Sequence, residues 1–256
     1  MSVLSRVEHL YDESKRNRWF RSFVVFCRIA LALGFLPAGI VKVMGERFTA
    51  LPSNHPLGHY FDALYLTGYY YRFIGVGQLT VALLLLIPGT ALLGAILYFP
   101  IILNICVLAY AVRFEGTRIT TLMLLANVFL LAWDYDRLKH VLPLGQTSDD
   151  RRVLAKAGGK TGAKTNRFPA WFFGLVVAVV ASVIVVNQFL YDIRPGNSRI
   201  ECTNGCRDSG SPNACQNFCG CIYDRGNPLN ACLDEYQGAK ASAPMSPKGS
   251  SAGTRF

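Results

Sequence analysis

Six of the chain's eight cysteines fall between Cys202 and Cys232, directly after an unbroken apolar run, Trp171–Tyr191. Cysteines this dense, in a polar segment rich in Gly, Asn and Pro, read as a disulfide framework, and disulfides persist only where the compartment is oxidising. The apolar run beside them is long enough to cross a bilayer as a helix. The C-terminus is therefore expected on the oxidising side of a membrane. That side is the periplasm or extracellular space for a bacterial plasma membrane, and the intermembrane space for a mitochondrial inner membrane.

The remainder of the chain fits that placement. Apolar residues make up 52% of the 256 and charged residues only 16%, against about 25% charged in a typical soluble domain. The apolar residues form long blocks, so a polytopic, all-α membrane protein is expected. Five spans can be drawn: Phe20–Val43, Tyr70–Ile87, Ala91–Val112, a short Ile119–Trp133 and Trp171–Tyr191. Pro88-Gly89-Thr90 breaks the second block from the third and predicts a tight helical hairpin. The first block is too long for the apolar core of a signal peptide and reads as an uncleaved span. Five spans put the termini on opposite sides. Lys and Arg crowd the N-terminal stretch and the linker after Trp133, while the opposite loops carry few, so the N-terminus is expected in the cytoplasm or matrix. Charge bias and thiol oxidation thus point to the same orientation.

Several function classes are disfavoured. The net charge of +10 is spread between apolar blocks and forms no basic face, so no nucleic-acid partner is expected. His9, His55, His59 and His140 all lie outside the spans, which argues against a membrane haem. His55 and His59 have the i,i+4 spacing of a metal pair, but Pro56 lies between them and no third ligand is evident. The absence of any Cys-x-x-Cys pattern argues against a thiol oxidoreductase. No metal and no covalently bound cofactor is expected. Lipid or quinone remains a candidate ligand.

Within the cysteine segment, Cys202-x3-Cys206 and Cys215-x3-Cys219 can each place two thiols on one helix face and staple two short antiparallel helices. That arrangement favours Cys202–Cys219 and Cys206–Cys215, leaving Cys221–Cys232. Other pairings are open to six cysteines, and zinc coordination is the alternative. Small residues recur every four positions at Ala30, Gly34 and Ala38 and at Gly174, Ala178 and Ser182, a spacing that lets helices pack closely. Gln78, Asn104 and Asn127 are expected to hydrogen-bond between spans. Lys42, Glu46, Arg113, Glu115 and Arg118 gather at outer span ends, either as a polar cup or as a solvated rim. Arg28 lies inside the first span. It is either a contact for a lipid headgroup or quinone carbonyl, or a residue that snorkels or pairs with Asp134 or Asp136.

The stretch Arg28-Ile-Ala-Leu-Ala-Leu-Gly34, continuing to Gly39 and Lys42, resembles the first helix of DoxX-like membrane proteins. Gly75-Val-Gly-Gln78, running on to Pro88-Gly89, is similar to that family's second helix and turn. The family often has an acidic residue where Gln78 stands. The resemblance covers residues 20–137 and implies a four-helix transmembrane bundle; some DoxX-like proteins are similar to membrane subunits of quinone-linked sulfur oxidation systems, and many have no assigned activity. The expected organisation is an inner-side segment (1–19), the bundle (20–137), a basic linker (138–168), a fifth transmembrane helix (169–191), a disulfide-stapled external module (192–237) and a disordered tail (238–256). The leading functional expectation is a non-catalytic accessory subunit of a respiratory or energy-transducing membrane complex. It would dock other membrane protein subunits and lipids through the fifth span and the cysteine module. A quinone-interacting oxidoreductase component, with Arg28, Gln78 and Lys42 near the headgroup, is the first alternative. A small-solute or lipid transporter is the second.

Overall fold

The computed structural model describes residues 11, 13–141, 167–207 and 209–242, all helices and connecting turns with no strand among them. The helices are α1 (Arg18–Met44), α2 (Pro56–Leu66), α3 (Tyr69–Leu86), α4 (Ala91–Ala111), α5 (Thr117–Trp133), α6 (Tyr135–Val141), α7 (Ala170–Phe189), α8 (Arg199–Gly205), α9 (Pro212–Tyr223) and α10 (Leu229–Ser242). Most of the basic linker (142–166) and the chain beyond Ser242 lie outside the described residues. The disordered tail expected from residue 238 is corrected in part, because α10 continues through it to Ser242.

Four helices, α1, α3, α4 and α7, are long and apolar enough to cross a membrane. The seventeen residues of α5 give only about 25 Å of helix, a little short of a hydrocarbon core of about 30 Å. Antiparallel succession of α1, α3, α4, α5 and α7 leaves two ends. At the N-terminal end, the Tyr11 hydroxyl donates to the Trp133 carbonyl (2.7 Å) and Lys15 pairs with Asp136 (2.8 Å). The cysteine segment sits at the other end.

Local chemistry explains the boundaries. Asn17 caps α1 by accepting from the Trp19 amide. Gly45, at φ 75°, closes its far end in a left-handed turn, the conformation glycine adopts at least cost. Pro88-Gly89-Thr90 joins α3 to α4, with the Thr90 hydroxyl donating back to the Leu84 carbonyl (3.0 Å). The segment between the first two spans was expected as a loop. It folds instead into α2, because Pro56 supplies a preset first-turn φ and the His55 ring caps the Leu57 amide.

The bundle core centres on Leu31, Phe35, Ala82, Leu85, Tyr98 and Ile102, all nearly solvent-free, with Phe35 stacked on Tyr98 at 3.9 Å. α1 and α3 cross at close quarters. A Cβ at Gly75 would stand 2.7 Å from Lys42 Cβ, 2.9 Å from the Gly39 carbonyl oxygen and 3.0 Å from the Val43 nitrogen. Two of those atoms are backbone and cannot swing away. Replacing Gly75 by Ala is therefore expected to lower stability by about 1–3 kcal/mol. Gly77→Ala, where a Cβ meets nothing within 4 Å, should be neutral or stabilise by up to about 1 kcal/mol through helix propensity. Denaturant titration of the two variants in mixed micelles distinguishes them; equal midpoints would contradict the close-crossing account.

Candidate functional site

Two features of the bundle carry chemistry: a cavity near the cysteine-bearing end, and the seam where that segment meets the bundle. The cavity encloses 610 Å³ and is bounded by α1, α3, α4 and α5, with the segment from Phe48 through α2 across its end. Its walls are mostly apolar, including Phe35, Leu57, Phe61, Ile74, Ile105 and Met123. Lys42, Gln78 and Asn104 interrupt them, together with the hydroxyls of Thr49 and Thr120.

Lys42 belongs to the last turn of α1, yet only 4% of it is exposed. Its ammonium donates to the Ala38 carbonyl at 3.1 Å and lies 4.0 Å from the centre of the Phe48 ring. No carboxylate among the described residues pairs with it. The glycine crossing explains its course, since the Lys42 stem rests against Gly75 and is carried inward. Gln78, one turn along α3 from Gly75, is 3% exposed and its Oε1 has no hydrogen-bond partner. The expected inter-span bond from Gln78 is thus absent, whereas Asn127 does make one, donating from Nδ2 to the Ala95 carbonyl at 3.1 Å.

Of the three residues expected to share a headgroup site, the structure brings together two. Arg28 lies toward the N-terminal end and pairs with Asp134 at 3.5 Å. The polar cup is not formed either. Lys42 turns into the bundle, Arg113 reaches the Ile193 carbonyl beyond α7, and Arg118 donates to Gln188 in the last turn of α7. The small-residue rows divide as well. Ala38 is buried, but Ala30, Gly34, Gly174, Ala178 and Ser182 are exposed. The close helix contact is made by Gly39 and Gly75 instead. The every-four-residues rule singles out neither glycine.

The cysteine segment forms its own small core. Disulfides join Cys202 to Cys219, Cys206 to Cys215 and Cys221 to Cys232 around Phe218, Ile222 and Tyr236. Cys27 and Cys106 remain as buried free thiols in the spans. Several bonds dock the module on the bundle. The Tyr191 hydroxyl donates to the Tyr110 carbonyl (2.7 Å), Arg113 to the Ile193 carbonyl (3.3 Å) and Asn54 Nδ2 to the Tyr223 carbonyl (3.0 Å). Arg113 holds φ at 54°, a left-handed conformation unusual for a residue with a side chain. Its guanidinium also lies 4.9 Å from the Tyr191 ring centre.

His55 sits at the heart of this seam with no solvent exposure. Its Nδ1 accepts from the Leu57 amide at 3.1 Å, which puts the ring proton on Nε2. That nitrogen faces the Gly196 carbonyl without completing a well-formed hydrogen bond, and the ring lies 6.4 Å from that of Tyr223. His59 is exposed on α2, so the two histidines do not converge as a metal pair. Burial pushes the His55 pKa below the usual histidine value, and the Gly196 carbonyl offsets this only in part. The folded pKa is lowered, so the unfolded chain takes up the proton first. The neutral ring's contribution to stability is complete above about pH 6.5 and is lost as pH falls through the folded value. Module docking is therefore expected to loosen on acidification, and His55→Asn, which keeps a capping acceptor, to remove that dependence. Hydrogen exchange of the module at neutral and acid pH measures it.

No family model matches the chain, and no solved structure does. The uncharacterized protein YwoB of Bacillus subtilis (strain 168) is 33% identical over 135 residues, which cover 50% of this chain and 86% of that relative. At that identity and coverage, the chain belongs to the same family as YwoB.

Proposed function

We propose that the chain is a DoxX-like, non-catalytic membrane subunit that docks other membrane proteins through α7 and the disulfide module. The observation that supports this reading most is the state of α7. Of its twenty residues only Phe172 and Asn187 are buried. Phe172 joins the aromatic cluster of Phe20, Phe23 and Phe129 at the N-terminal end, and Asn187 donates to the Tyr110 hydroxyl (3.3 Å) at the other. Between these anchors the row Gly174, Ala178 and Ser182 is exposed, a surface that another helix can approach closely. The module next to it is cross-linked and pinned, so it offers a fixed face to a partner. The respiratory or energy-transducing setting rests on the resemblance of residues 20–137. Lys15, Arg16, Arg18, Arg21 and Arg167 lie at the N-terminal end. They favour that end as cytoplasm or matrix, with the module outside a bacterial plasma membrane or mitochondrial inner membrane.

A second reading, a component that interacts with quinone at Gln78 and Lys42, has the cavity's apolar walls in its favour. Arg28 takes no part in it, being paired with Asp134.

Purification of the native chain in mild detergent, followed by mass spectrometry, is expected to recover a defined set of membrane proteins. Ala178→Leu should release them with the helical content intact; a chain that runs alone would defeat the docking reading. Fusion of alkaline phosphatase after Ser242 is expected to be active and a green fluorescent protein at the same place dark. The opposite pattern would reverse the orientation.

A further inference from the structure

We propose that the cavity between α1, α3, α4 and α5 is a binding site for an amphiphile with an anionic headgroup and one apolar chain. The acid is a carboxylate or a phosphate monoester, held by Lys42 and Gln78. This site is independent of whether the chain docks a partner.

The charge balance of the cavity carries the inference. A buried ammonium is ordinarily matched by a carboxylate, because its hydration has been given up. Lys42 is 4% exposed and has only the Ala38 carbonyl and the face of Phe48 for company. The nearby acids are otherwise placed. Asp62 is bound to Arg47 at 2.7 Å, and Glu46 is exposed beyond the end of α1. Among the described residues the site thus holds a positive charge with no counter-charge, and an anionic head supplies one. Gln78 adds a second requirement. Its Oε1 is buried in the same cavity with no donor, and turning the amide over would exchange an unmatched acceptor for a donor. An anionic head accepts from the turned amide, and a singly ionised phosphate monoester can in addition donate to Oε1.

The walls describe the rest of the ligand. Beyond Lys42, Gln78 and Asn104 the cavity is lined chiefly by aliphatic and aromatic side chains, which suits an alkyl chain. Its 610 Å³ lies within the ordinary range for a small-molecule site. Gly34 and Asn104 line the cavity and are also exposed on the bundle flank, so a chain can enter sideways from the lipid. A quinone fits the apolar walls, and its carbonyl can accept from the turned Gln78 amide, but it is neutral and leaves the Lys42 charge unmatched.

The full-length protein in phosphatidylcholine nanodiscs would be titrated with oleate, oleoyl lysophosphatidic acid, monoolein and decylubiquinone. Native mass spectrometry would count bound molecules, and thermal shift would rank affinity. One oleate or lysophosphatidic acid per chain is expected, each bound at least about tenfold more tightly than monoolein. Lys42→Met should remove that preference and Lys42→Arg retain it. Because Lys42→Met deletes an uncompensated buried charge, it should fold at least as well as the natural chain. Gln78→Leu should weaken both acids by about threefold to tenfold. Preference for oleate over lysophosphatidic acid, or the reverse, identifies the acid. Equal binding of monoolein and the acids, acid binding untouched by Lys42→Met, or tighter binding of decylubiquinone than of either acid would each overturn the proposal.

Discussion

The bundle depends on a contact between two backbones. Gly39 and Gly75 let α1 and α3 approach until the peptide groups themselves are in contact. The placement of Lys42 and Gln78 in the cavity follows from that approach. A helix pair held further apart would leave the Lys42 stem free to reach the membrane surface. Here the stem is trapped against Gly75, and the ammonium ends beneath Phe48. Gln78 is carried to the same level because it lies one turn along from the crossing. Dispersion between close-packed backbones is a principal cohesive force available in lipid, where apolar burial gains nothing over contact with acyl chains.

The cysteine module is built on a different principle. Its helices are too short and too polar to persist alone, and three cross-links restrict the unfolded chain in their place. It then acts as a unit against the bundle end. Chain from the loop before α2, from the α4–α5 turn and from the end of α7 converges there on backbone carbonyls of both partners. Bonds to carbonyls are indifferent to side-chain identity across the seam. His55 is the exception, since it must remain neutral to stay buried.

The helical frame was legible because period and length suffice for it. Apolar blocks, a Pro-Gly-Thr break and basic flanks mark the spans with no knowledge of their neighbours. The cysteine pairs follow from the same local geometry, two thiols on one face of each short helix. What spacing could not convey was direction. Lys42 looks like a rim residue until the side of α1 on which it emerges is known; for Arg28 the sequence offered a ligand contact or pairing with Asp134 or Asp136, and the Asp134 pair is the one that forms. The small-residue rule reached only part of the packing, Ala38 and Gly34, for a related reason. It counts residues along one helix, whereas the close crossing pairs one glycine from each of two. α2 was hidden because its start signal is a histidine, a residue seldom read as a cap, followed by a proline normally taken as a breaker.

The way α7 is held has a geometric consequence. Its two anchors, Phe172 in the aromatic cluster and Asn187 beside Tyr110, lie near opposite ends of a helix that touches little between them. Such a helix sets both spacing and phase. One residue added or removed between the anchors changes the span by about 1.5 Å and turns everything beyond it by about 100°. The composition of that stretch is free to drift among apolar residues, whereas its length is not. A change of count swings the cross-linked domain off its seat as a key turns out of a lock.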